Sequence, residues 1–134
     1  MGTRPTIDGV AVMEWLTPYQ RRGLERFEHR SGVFYWATGA GKTAAALVWS
    51  QQSPGRVVVV TKANTKRQWK VEAQRFTDVS VRILRGHTTK PIPHDCGMVI
   101  INWEILPHWV DVLIKWRPTR VIYDELHRGK NWKR

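Results

Sequence analysis

The sequence predicts an α/β fold, a mostly parallel sheet flanked by helices, and three observations predict it. Apolar, β-branched runs alternate with helix-patterned stretches along the chain, the order that strand–helix–strand units with right-handed crossovers produce. Val57-Val58-Val59-Val60 is apolar without interruption, as expected of a strand covered on both faces. Val33-Phe34-Tyr35-Trp36 runs through a glycine-containing turn directly into an Ala- and Leu-rich stretch, so a strand, a tight turn and a helix follow one another without a linker.

Taken in order, Gln20 to His29 is expected to be helical, with Leu24 and Phe27 on one side. Val33 to Trp36 is the first strand, Thr38 to Gly41 the turn, and Lys42 to Gln51 the helix after it. Ser53-Pro54-Gly55 is a loop before the Val57–Val60 strand. A helix from about Thr65 to Phe76 offers Trp69, Val71, Ala73 and Phe76 as its buried side. Val81 to Leu84 is a short strand, Gly86 to Asp95 a loop broken by Pro91 and Pro93, and Met98 to Ile101 another strand. A weaker helical stretch reaches Trp116, and Val121-Ile122-Tyr123 is a strand running into Asp124-Glu125.

The 134 residues make a single domain, 1–134, with no internal repeat and no low-complexity tract. Lys and Arg number 22 against 11 Asp and Glu, a formal charge of +11, which points to a polyanionic partner and above all to nucleic acid. A solvated basic surface kept for solubility is the plainer alternative. Cys96 is the only cysteine, so an intramolecular disulfide is excluded and a reducing, cytoplasmic or nucleoid-associated setting is expected. No apolar run approaches the ~20 residues needed to span a bilayer, so no membrane partner is expected.

Ala37-Thr38-Gly39-Ala40-Gly41-Lys42-Thr43 lies between the first strand and its helix, the setting a phosphate-binding loop requires. Gly39 and Gly41 let the backbone turn so that N–H groups from Thr38 to Thr43 face phosphate oxygens, and the helix N-terminus adds partial positive charge there. Lys42 is then placed for the β- and γ-phosphates of ATP and the Thr43 hydroxyl for Mg²⁺. Trp36 stands where the strict template has its first glycine. Asp124 and Glu125 end the last apolar strand and belong on the same carboxyl edge of the sheet, where ligands bind in such folds. Asp124 is the candidate Mg²⁺ ligand through water, and Glu125 the candidate group polarising an attacking water. The remaining histidines lack ligand spacing, so no zinc site is expected.

Asp124-Glu125-Leu126-His127 resembles the DExH box of superfamily-two helicases, with a RecA-like first lobe implied. Continued through Arg128, Lys130 and Asn131, it is similar to the signature of the Swi/Snf branch, with Leu126 in place of the usual Ala. Leu16-Thr17-Pro18-Tyr19-Gln20 with Gly23 resembles that family's adenine-recognising segment, which gives Gln20 the adenine edge. Val57 to Phe76, with Gln68-Trp69 and Glu72, resembles the segment after the second strand, which implies phosphate contacts from Lys62, Asn64, Thr65 and Lys66, a solvated charged loop being the plainer alternative. Ile100 to Leu106 resembles the next conserved segment, and Trp69 and Trp103 are expected in the core. His127 is implied to couple the nucleotide site to DNA.

The resemblance implies an ATP-binding lobe of a double-stranded-DNA-dependent ATPase and translocase. Proteins of this family continue to a further strand with a Ser/Thr-Ala-Thr-like motif and to a second lobe supplying arginine fingers. By analogy that strand lies between the phosphate-loop strand and the acidic strand, so a sheet incomplete at its C-terminal end is expected, with a gap or exposed strand edges at its middle. A second polypeptide or another copy is then expected to complete it. The alternative is a non-catalytic nucleic-acid-binding or motor-regulating protein built on the same lobe; a phosphate-loop kinase fits the Asp-Glu-x-His order less well.

Overall fold

In the computed structural model, residues 43–124 are described throughout, residues 33–37 in backbone, and residues 18, 22, 26 and 27 as helical positions. Five strands form one sheet: β1 (Val33–Ala37), β2 (Val57–Thr61), β3 (Val81–Ile83), β4 (Met98–Asn102) and β5 (Arg120–Asp124). Their order is β1-β5-β2-β4-β3, and every neighbouring pair is parallel. Three helices connect them: α1 (Thr43–Ser50), α2 (Lys66–Phe76) and α3 (Leu106–Trp116). A short 3₁₀ turn, Ala63–Thr65, joins β2 to α2.

Every residue of β2 and β4 is buried, which is why both read as apolar runs rather than alternating ones. Their side chains still alternate between faces. Val58, Val60, Val99, Ile101, Val121 and Tyr123 join Phe27 and the inner side of α3 in one core. Val57, Val59, Met98, Ile100 and Ile122 pack with Ala46 and Leu47 of α1 and Trp69 and Ala73 of α2 in the other. The sheet is therefore a middle layer with α1 and α2 on one face and α3 on the opposite one.

Helix α3 is better formed than its sequence suggested. Leu106, Trp109, Val110, Leu113 and Trp116 are all buried, an i, i+3, i+4, i+7 stripe, and Pro107 occupies its first turn, where a missing N–H costs nothing. Arg117 ends it in the left-handed conformation (φ 65°), its N–H reaching Leu113 and Ile114 carbonyls. The Arg56 guanidinium donates to the Trp116 carbonyl at 2.5 Å, placing positive charge at the negative end of the helix.

Two expectations are corrected here. Val71 and Phe76 were expected inside α2's buried side, but they are 53% and 41% exposed, while Lys66, Trp69 and Ala73 are buried. Val71 lies two residues from both Trp69 and Ala73, about 200° around the helix, and Phe76 is the helix's last residue. The expected gap in the middle of the sheet is absent. β1 pairs directly with β5 in a five-residue register from Val33↔Arg120 to Ala37↔Asp124. The two strands satisfy each other's backbone groups, so no unpaired edge lies between them.

Candidate nucleotide-binding rim

The sheet ends on one side in a row of aligned residues. Ala37 of β1 is opposite Asp124 of β5, and Thr61 of β2 is opposite Asn102 of β4. Residues 38–42, the predicted phosphate loop, join Ala37 to Thr43, the first residue of α1. Because α1 packs on both β1 and β5, its N-terminus and the Asp124 strand end belong to the same rim. Thr43 is half-buried. Of the other predicted site residues, Gln20, Thr38, Gly39, Ala40, Gly41, Lys42, Glu125 and His127 lie outside the described residues.

Asp124 is 1% exposed. Ile122 faces the α1–α2 layer and Tyr123 the α3 layer, so strand alternation turns Asp124 toward α1 and α2. Its Oδ2 accepts two hydrogen bonds, from Thr61 Oγ1 at 2.6 Å and from Trp69 Nε1 at 3.0 Å. On the other face, Trp103 Nε1 donates to the Asp124 backbone carbonyl at 3.4 Å, and the Trp103 ring stacks on Tyr123 with centroids 5.2 Å apart. Trp69 and Trp103 are thus core residues, as expected, whose polar edges also hold the acidic strand end. Sequence reasoning placed neither of them, nor Thr61, beside Asp124. The only hint was that Thr61 is the polar end of an otherwise apolar strand.

The donor set suits magnesium. A carboxylate and a hydroxyl are hard oxygen ligands, and Mg²⁺ is ordinarily held by one or two such groups plus phosphates and water rather than by a protein cage. No group of three or more His, Cys, Asp or Glu able to hold a metal occurs among the described residues. Asp124 and Thr43 would hold the ion, and the ion would supply positive charge against the phosphates.

The segment predicted to meet nucleic-acid phosphates divides. Lys62 is half-buried and Asn64 exposed, flanking and within the 3₁₀ turn at the carboxyl end of β2. Lys66 is a correction, because it is not an exposed cation. Its ammonium is turned inward, donating to the Leu84 carbonyl at 2.9 Å and to Asn102 Oδ1 at 2.8 Å. Burial, with the Arg85 guanidinium adding to it and Glu104 opposing it, lowers the Lys66 pKa from the ordinary 10.5. Farther along, Arg67 and Lys70 of α2 and Arg82 and Arg85 on and after β3 line a groove of about 580 Å³ that contains no acidic residue.

A parallel sheet flanked by helices, with a buried carboxylate at the carboxyl end of a central strand, is the architecture of a RecA-like α/β lobe. The family model described as "Type III restriction enzyme, res subunit" matches residues 13–134, and the chain belongs to that family of helicase-like ATP-binding domains. No curated protein and no solved structure matches it. No helix among the described residues is long and apolar enough to cross a membrane.

Proposed function

We propose that the chain is the ATP-binding lobe of a double-stranded-DNA-dependent ATPase and translocase of superfamily two, on its Swi/Snf-like DExH branch. The observation that carries this reading is the register of Ala37 with Asp124, which supports a phosphate loop and a buried acidic group acting on one bound nucleotide. In this reading Thr38 to Lys42 cradle the phosphates, and Lys42 neutralises charge on the β- and γ-groups. Thr43 and, through water, Asp124 would hold Mg²⁺, Glu125 polarises the attacking water, Gln20 reads the adenine edge, and His127 links the site to DNA. Lys62 and Asn64 contact the DNA backbone, which the surplus of cations and the groove lined by Arg67, Lys70, Arg82 and Arg85 also favour.

Hydrolysis by this lobe alone is expected to be feeble, since an arginine finger from a second lobe or polypeptide contributes roughly 10³–10⁵ in rate. The test is calorimetric binding of a non-hydrolysable ATP analogue, with and without Mg²⁺, to wild type and Lys42→Ala. Mg²⁺-enhanced binding that Lys42→Ala abolishes is the expected result. Nucleotide binding that is absent, or indifferent to Lys42, would leave the non-catalytic nucleic-acid-binding alternative.

A further inference from the structure

Two side chains that donate to the Asp124 carboxylate belong to neither the phosphate loop nor the acidic box. Thr61 ends β2 and Trp69 lies on α2, and both donate to the same oxygen, Oδ2. A carboxylate is acceptor-only, so Thr61 must give it its single hydroxyl proton. That leaves Thr61 Oγ1 to accept from Thr65 Oγ1, 2.6 Å away. When Thr65 donates to it, the protons run along one chain, Thr65 to Thr61 to Asp124. Thr65 has a second acceptor in reach, the Lys62 carbonyl at 3.1 Å, so its hydroxyl has two alternative partners. One points toward the acidic strand and the other toward the basic turn.

From this geometry we infer that Thr61 and Trp69 are positioning residues for Asp124. The Thr65–Thr61–Asp124 chain ties the state of the nucleotide rim to the turn that carries Lys62 and Asn64. One donor would let the carboxylate swing; two donors from different elements fix its plane. Oδ2 is held by these two protein donors when a hydrated cation approaches the carboxylate. Rotating Oδ2 toward the cation would cost both bonds. Trp69 sits one turn into the helix that begins where the 3₁₀ turn ends, so displacement of the turn is transmitted to both donors together. The inference rests on the nucleotide reading of the rim.

The experiment uses the full chain as wild type, Thr61→Val, which removes a donor and keeps its shape, and Trp69→Phe, which removes the indole donor together with part of its ring. Binding of a non-hydrolysable ATP analogue is measured by calorimetry with and without Mg²⁺, and with and without a duplex DNA oligonucleotide at fixed salt. Both variants should keep the Mg²⁺-free affinity and lose about 10-fold of the Mg²⁺-dependent gain, the size of effect seen when a ligand's supporting hydrogen bond is removed. The factor by which DNA alters Mg²⁺–nucleotide affinity, roughly 5–150-fold for typical coupled sites, should fall toward one in Thr61→Val. A purely structural role for these bonds would move neither ratio, and variants with wild-type ratios overturn the inference. Should Thr61→Val fail to show a cooperative thermal transition, Trp69→Phe decides the positioning claim. Thr65→Val, which breaks the same chain one bond earlier, then decides the coupling claim, its DNA factor falling toward one if the claim holds and staying at the wild-type value if it does not. Wild type lacking any Mg²⁺-dependent binding would overturn the nucleotide reading itself, a result distinct from a failure confined to the variants.

Discussion

Lys66 and Asp124 are both charged, both buried and both close to the carboxyl edge of the sheet, yet their surroundings treat them differently. Asp124 is met by a hydroxyl and an indole N–H. Lys66 is met by neutral acceptors, and its lowered pKa records the cost of removing an ammonium from water beside a guanidinium. Between that lowered value and 10.5 the unfolded chain binds more protons than the folded one, so this contribution to stability rises with pH across the window and is flat below it. Denaturant unfolding should therefore show wild type gaining stability relative to Lys66→Met as pH climbs toward 10.5. A difference constant with pH would contradict the burial of a charged Lys66. None of this was legible in the sequence, where Lys62, Asn64 and Lys66 look alike. Which of them turns inward is decided by where the helix face meets Leu84 and Asn102, residues 18 and 36 positions away.

Among the elements, the strands were legible because burial on both faces leaves an unbroken apolar run, and β2, β4 and β5 fall where the sequence placed them. Helix faces were read less well. α2 combines two buried aromatic and small residues with an inward lysine, and this mixed stripe obscures the 3.6-residue period. The connection before β2 carries a sharper constraint. Gly55 has φ +145°, and a Cβ there would collide with the Thr119 side chain, whereas Gly86, at φ +75°, has open space around it. Gly55→Ala should thus cost more than Gly86→Ala, because the clash adds to the strain of the backbone. Gly86→Ala should cost about 1–2 kcal/mol, from the left-handed backbone alone. Parallel urea titrations measure both, and a Gly55→Ala protein as stable as Gly86→Ala would contradict the close approach of Thr119.

For the molecule as a whole, a formal charge of +11 sets the expected partner and its salt dependence. If the basic turn and groove bind duplex DNA through phosphates, log K should fall linearly with log salt at about −0.9 per phosphate contacted. Lys62→Ala should then reduce the slope by roughly one, and Lys66→Met, whose ammonium is already turned inward, should leave it unchanged. Fluorescence anisotropy across a salt series reads both, and equal slope changes for the two variants would argue against the inward position of Lys66.

Taken alone, the sequence determined the α/β class, the order of the described strands and helices, and the placement of Asp124 at a strand end, because each depends on local period and turn chemistry. Tertiary structure alone decided that β1 lies against β5 with no strand between them. It also decided that Thr61 and Trp69 grip Asp124 and that Lys66 is spent inside the fold. Those facts depend on strand register and on contacts between residues tens of positions apart, and neither leaves a periodic trace in the chain.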